Sequence, residues 1–260
     1  MFQCRDTHGE LLLATPPRVN TQSSLSLYEG LVRENASESE KDFSIDLIVT
    51  GAQRASVCSL INEKYGWRGY GSNHDLGANG HCSTFVALLE GSLVGTLSLT
   101  IDNGDQLASE ASFPDFIAQF RSSPGVKLCE LTKFAFSSKS TPMNILASLF
   151  HTIFIYGTTR YECTDLLIEV NPRHIRFYET MLGFSKVGTM RTNCSVGAPS
   201  QLMRLNVCDI GKYIQEHAGC RAPSGRSLYP YFLTAAQECL IHERMADLGP
   251  NSRFDILNAS

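Results

Sequence analysis

TDLLIEVNPRHIRFYETMLGF, residues 164–184, is the stretch whose reading decides the fold. Asp165 to Val170 is a short apolar run rich in branched side chains, bounded by polar residues, which is the pattern of a buried strand. Asn171-Pro172 follows at once. Asn is a strong N-cap, and Pro suits the first helical position because its missing N–H has no partner to lose there. His174, Phe177, Tyr178, Met181 and Leu182 then recur on one face of a helix. Gly183 can take the left-handed conformation that ends a helix, and Phe184 is placed to fold back on the last turn.

Working outward, Val126 to Phe136 reads as another strand, centred on CELTKFAF (129–136). A helix from Pro142 to about Arg160 follows, with Met143, Leu146, Ala147, Phe150, Ile153 and Phe154 on one face and Thr141-Pro142 repeating the cap-then-proline arrangement. Strand, helix, strand, helix from Val126 to Phe184 makes a crossover unit whose two strands should be parallel. Upstream, Phe43 to Val49 alternates as a strand and Ala52 to Tyr65 has helical spacing. Thr84–Glu90 and Leu93–Asp102 form a hairpin through Glu90-Gly91-Ser92. Leu107 to Phe120 reads as a mostly helical insertion with Pro114 near an internal start. Downstream, Gln201–Val207 is a last strand, antiparallel to its neighbours, and Asp209–His217 and Thr234–Leu248 are helices. Between them, SLYPYF (227–232) is expected to pack on the body, with a partner surface as the alternative.

The fold class is therefore α/β, with a mixed sheet flanked by helices over residues 41–208 and a helical C-terminal extension over 209–260. Residues 1–40, rich in Ser, Asn and Glu and without sustained periodicity, read as a mostly disordered lead with at most a short ordered turn. With 43% hydrophobic and 18% charged residues, there is ample material for a core. A formal net charge of −4 supplies no basic field for nucleic acid or an anionic membrane. Leu11-Leu12-Leu13 is too short for a signal sequence or a membrane span, and acidic residues precede it. Nine cysteines without CxxC or Cys/His ligand spacing read as reduced thiols of a cytoplasmic protein, with no metal site.

Three places carry candidate chemistry. Glu130 lies amid apolar strand neighbours; burial would raise its pKa toward that of a working base, and the alternative is a structural ion pair with Lys133 or a distant Arg. Tyr178, on the apolar face of its helix, reads from the residues alone as a core aromatic with its hydroxyl on a partner. The glycine-rich loop YGWRGYGSNHDLGANG (65–80) has no phosphate-binding pattern, so it is read as a loop lining a substrate pocket through Trp67, Arg68 and Tyr70. His81, His151 and His174 pair with no nucleophile at recognisable spacing, which excludes a hydrolase triad.

The strand, Asn, helical Tyr and Gly-Phe order of 165–184 resembles the last motif of the GNAT acyltransferases. NPRHIRFYETMLGF together with CELTKFAF resembles the bacterial N-acyl amino acid synthases, GNAT-fold relatives of the acyl-homoserine-lactone synthases. The resemblance spans roughly Ile45 to Val207. It implies a GNAT-like fold and N-acyl transfer, with Glu130 as general base, Tyr178 as proton donor to the leaving thiol, and Thr132, Lys133, Phe134 and Asn171 at the substrate. Acetyl-CoA members carry a Q/R-x-x-G-x-G/A turn for the pyrophosphate; this chain has SSKSTPMN (137–144). The implied donor is therefore acyl-phosphopantetheine on acyl carrier protein rather than CoA, with a small amine as acceptor and no bound cofactor. The acidic carrier is expected to dock on Lys139, Arg160, Arg173, Arg176 and Lys186. The rival readings are an acetyl-CoA-dependent transferase and a catalytically silent GNAT-like binding module.

Overall fold

A computed structural model describes residues 25–32, 40–71, 73–76, 81–104, 107–137, 141–220 and 226–247. The described strands form one sheet of eight in the order β1-β2-β3-β4-β5-β6-β8-β7. In chain order they are β1 (Leu25–Val32), β2 (Lys41–Leu47), β3 (Cys82–Leu89), β4 (Ser92–Ile101), β5 (Leu128–Phe136), β6 (Asp165–Val170), β7 (Ser185–Thr192) and β8 (Pro199–Asn206). The helices are α1 (Gly51–Gly66), α2 (Pro114–Arg121), α3 (Met143–Tyr161), α4 (Ile175–Leu182), α5 (Val207–His217) and α6 (Ala235–Ala246). All neighbouring strands are antiparallel except β5 and β6. This is the mixed sheet expected of a GNAT-like fold.

The crossover unit forms as its sequence dictates. Asn171 accepts from the Arg173 N–H at 3.2 Å, capping a 3₁₀ turn (Pro172–His174) that leads into α4. Gly183 ends α4 at φ +84°, and the Phe184 N–H donates back to the Tyr178 carbonyl at 3.2 Å. The β3–β4 turn has positive φ at both Glu90 and Gly91, the twist a tight hairpin requires. At α3 the expectation shifts by one position. Pro142 is itself the cap residue, with φ −55° and ψ 138°, and makes no side-chain cap bond.

Two strands depart from the sequence reading. β1 lies within the stretch read as a polar lead; the rest of that lead, except Glu40, lies outside the described residues. Its period-two pattern is broken by a register shift between Ser26 and Tyr28, so Leu27 and Tyr28 are both buried although they are adjacent. β7 is mostly exposed and polar because an edge strand facing solvent needs no apolar alternation. The insertion is also divided, into a 3₁₀ turn (Ala108–Ala111) and α2, with Pro114 opening α2.

The sheet separates two apolar layers. Cys129, Leu131 and Ile168 pack with α3 and the C-terminal segment, whose Ile210, Leu228, Tyr229, Phe232 and Ile241 are buried in the same core. Leu128, Leu167 and Leu202 pack on the other face with Phe113, Ile117 and Phe120 of the insertion. Strand alternation puts Glu130 on the face of Leu128, and Glu169 on that of Leu167. Both carboxylates thus start from the α2 side. Among the described residues no helix is long and apolar enough to cross a membrane.

Candidate active site

β5 and β6 pair only over Leu128–Glu130 with Asp165–Leu167, and then part. The cause lies in β5. A bulge in its pairing with β4 falls between the Ser98–Thr132 and Thr96–Ala135 pairs, and Lys133 within it takes φ +57°. A non-glycine residue there costs about 1–2 kcal/mol, and such strain gathers at functional sites. Lys133 is held by its Nζ, which donates to the Asp75 carbonyl. The bulge turns β5 away from β6, and a cavity of about 400 Å³ opens in the gap.

Because the gap goes through the sheet, the cavity has two unlike sides. Glu130, Glu169, Ala108 and Ser200 face it from the α2 side; Leu131, Phe150, Ile168, Phe177 and Tyr178 face it from the α3 and α4 side. Phe134 joins the second side, 5.6 Å from the Phe150 ring and 6.4 Å from that of Phe177. An apolar wall opposite a pair of carboxylates can hold a chain on one side and an amine on the other.

Glu130 is 1% exposed. Its carboxylate accepts the N–H of Ala108 at 2.6 Å and that of Ser109 at 3.0 Å. Burial pushes its pKa up to about 7, against the opposing pull of the Ser109 and Ala108 hydrogen bonds, with a smaller upward push from Glu169. No ion pair with Lys133 forms, since that ammonium is committed to the Asp75 carbonyl. Tyr178, also buried, stands edge-on to Phe177 and Phe184, and burial raises its phenol well above the usual range. A phenol so shifted stays protonated near neutrality, so it cannot serve as a base there; the shift also makes it a weaker acid. Asn171 lines the cavity while capping the turn before α4, and Thr132 lines it beside the bulge.

The glycine-rich loop contributes unevenly. Arg68 and Tyr70 line the cavity, but Trp67 does not and is 77% exposed. Trp67 caps the C-terminus of α1 in a right-handed conformation, and its side chain turns outward. Arg173 closes the rim. Its Nη2 donates to the Tyr70 hydroxyl at 2.8 Å, and its guanidinium lies 5.5 Å from the ring centre.

Of the other docking candidates, Arg176 is exposed on α4 and Lys186 lies 3.6 Å from Glu179. Lys139 lies outside the described residues. Arg160 is in the last turn of α3. It follows the cavity residue Phe150 by ten positions, about 15 Å along the helix axis, so it is not brought together with Arg173 and Arg176.

Among the titratable cavity residues, sequence reasoning missed four. Tyr65 looked like one more helical apolar residue, and burial pushes its pKa up to about 12. His74 is fixed by Asn62, whose side chain accepts the His74 N–H at 2.6 Å. His174 was set aside as a scattered histidine; burial first, then Arg173 and Arg68, lower its pKa, and its Nε2 accepts from Arg173 at 3.2 Å. Glu169 accepts the Ser200 hydroxyl at 2.6 Å. Its only sequence signal was a charge near the end of an apolar strand.

A sequence profile described as "N-acyl amino acid synthase FeeM" matches residues 56–206, more than half of the chain. The chain belongs to the FeeM family of N-acyl amino acid synthases. It is accordingly an N-acyltransferase. The solved structure of FeeM, an N-acyl amino acid synthase from uncultured soil microbes, superposes with a TM-score of 0.59 at 24% identity, over 66% of this chain and 94% of that one. The AHL synthase LasI gives a TM-score of 0.47 at 11% identity, over 64% of this chain and 90% of that one. RimJ of Mycobacterium smegmatis, solved with CoA-disulfide, gives 0.46 at 13% identity, over 85% and 94%. No curated protein sequence matches the chain. The FeeM match ends where α5 begins, so the C-terminal segment lies beyond it.

Proposed function

We propose that this FeeM-family enzyme moves a long-chain acyl group from an acyl-carrier-protein thioester to the α-amine of an amino acid or another small amine. The observation that carries the reading is the two-sided cavity in the parted sheet, with a buried carboxylate on one side and an aromatic and aliphatic wall on the other. The acceptor's ammonium enters on the carboxylate side and gives a proton to Glu130, directly or through a water. Its nitrogen attacks the thioester carbon. Backbone N–H groups of β5 beyond Glu130, on the edge that has left β6, stabilise the oxyanion. The C–S bond breaks, Tyr178 protonates the departing thiolate, and the second proton that the nitrogen sheds on becoming the amide restores the phenol, directly or through a water. Arg68 at the rim is a suitable partner for an acceptor carboxylate.

The donor reading is supported by the turn into α3. A CoA pyrophosphate is held by backbone N–H groups at a helix N-terminus. SSKSTPMN offers no glycine, and its Pro142 cap has no N–H to donate. A carrier-borne phosphopantetheine has no pyrophosphate to hold. The test is turnover of matched acyl groups on acyl carrier protein and on CoA at equal concentration, with the amide identified by mass spectrometry. Much faster turnover of the carrier thioester is expected. Equal or faster turnover of acyl-CoA would overturn the carrier assignment, and no amide from either donor would return the chain to a silent binding role.

A further inference from the structure

Behind the catalytic cavity lies a second, smaller void of about 30 Å³. Leu131 and Phe150 line both spaces, so those two side chains are what separates them. Its lining is almost wholly apolar, and close-packed interiors rarely leave voids wider than a water molecule. An apolar void does not hold water in place, because it offers no hydrogen-bonding partners. At this size it is room for the end of a hydrocarbon tail, not for its length.

The far wall comes from the segment beyond the FeeM match: Ile210 of α5, and Tyr229 and Phe232 of the connection to α6. That wall is fastened to the helices of the site. The Tyr229 hydroxyl donates to the Leu182 carbonyl at 2.7 Å, the Leu228 N–H to the Met181 carbonyl at 2.9 Å, and the Leu233 N–H to His151 Nδ1 of α3 at 2.9 Å. Phe232 also stacks on the His151 ring at 4.8 Å.

We propose that the C-terminal extension is the chain-length stop of the acyl site. The tail of the donor's acyl group runs from the cavity past Leu131 and Phe150 and ends against Ile210, Tyr229 and Phe232. The inference rests on the acyl-transfer reading above, and adds to it the element that selects the chain. The carboxylate side suits the tail poorly, because an aliphatic chain there would strip the half-buried Glu169 of water and offer neither carboxylate a hydrogen bond.

Two variants of the full chain act in opposite directions. Phe232→Leu enlarges the pocket and Ile210→Phe fills it. Each is offered a homologous series of straight-chain acyl thioesters in competition, with products resolved by mass spectrometry and folding checked by circular dichroism. Phe232→Leu should move the preferred chain up the series and Ile210→Phe should move it down, each changing discrimination between neighbours by about 10-fold, the lower end for a methylene in an apolar pocket. A thioester carrying a diazirine on its terminal carbon tests the unaltered enzyme as well. Photolysis should label the peptides holding Ile210, Tyr229 or Phe232. Unchanged chain preference in a folded variant, or labelling confined to other segments, overturns the chain stop while leaving acyl transfer intact. No amide from any member of the series would overturn the acyl-transfer reading and the stop together.

Discussion

At the scale of the residue, Glu130 joins two demands that work against each other. A base must lose its proton, and burial resists that. With a folded pKa of about 7, Glu130 is ionised in a useful fraction near neutrality, which suits proton transfer at that pH. If Glu130 is the base, kcat/KM rises with pH through a limb centred near 7. Stability follows the opposite course. The folded pKa is raised above the unfolded value, so the fold favours the protonated form. That contribution is complete below about 4.5 and is lost as pH rises through about 7. Glu130→Gln should lower the rate by about 10²–10⁴, abolish the limb, and flatten the loss of stability toward alkaline pH. The variant has its own cost. Both Glu130 oxygens face N–H donors, so the amide NH₂ must oppose one of them, at about 1–3 kcal/mol. Activity should return in part at high pH, where free amine forms unaided. His174 is the internal control, because it lines the same cavity and its pKa is lowered. If His174→Gln removes the limb and Glu130→Gln leaves it in place, the base is the histidine.

At the scale of the element, the insertion holds the carboxylate. The turn whose N–H groups bind Glu130 also carries Glu110. Arg121 of α2 grips Glu110 through both carboxylate oxygens and, with Nε and Nη2, grips Asp102 just beyond β4. Arg121→Met should leave these two acids facing each other without their shared cation. Each charged hydrogen bond is worth about 1.5–3 kcal/mol and the group is partly exposed, so a net loss of about 1–3 kcal/mol is expected. A urea titration reads it as a lowered midpoint at unchanged slope; an unchanged midpoint would show that the network contributes nothing. None of this was legible in advance, because ion pairs between a strand end, a turn and a helix leave no periodic trace. What was legible is local. Asn171-Pro172, Gly183 and the α4 face specify their conformations from neighbouring residues, and Glu130 stood out as a charge in an apolar strand. Trp67 failed because it was read together with Arg68 and Tyr70, which belong to the cavity, whereas at the end of α1 its own side chain is exposed. Glu169, Tyr65 and His74 became visible only when β5 and β6 parted and put their elements around one space.

At the scale of the molecule, a sheet opened at its centre would let the proposed acceptor and donor approach from different sides. On the proposed reading the donor side is bounded by α4 and the start of α3, and it is here that an acidic carrier would meet positive charge. The structure divides the basic candidates into two groups. Arg173 and Arg176 stand at the start of α4, with Lys186 beside Glu179 of that helix, whereas Arg160 lies about 15 Å farther along α3 than Phe150. Arg173 is already engaged with Tyr70, so reversing it would disturb the rim as well as the docking face. Arg176 is the cleaner probe. An exposed ion pair contributes about 0.2–1 kcal/mol, and reversal replaces attraction with repulsion, so Arg176→Glu should raise KM for the carrier thioester severalfold with little change in kcat. Added salt should raise KM for the unaltered enzyme and shrink the difference between the two, since screening weakens charge-steered encounter. Arg160→Glu, an equal change of net charge on the far end of α3, should behave as the unaltered enzyme does. Equal effects at the two positions would mean that overall charge rather than a docking face is being read, and no effect of either reversal or salt would place carrier binding on a surface away from α4.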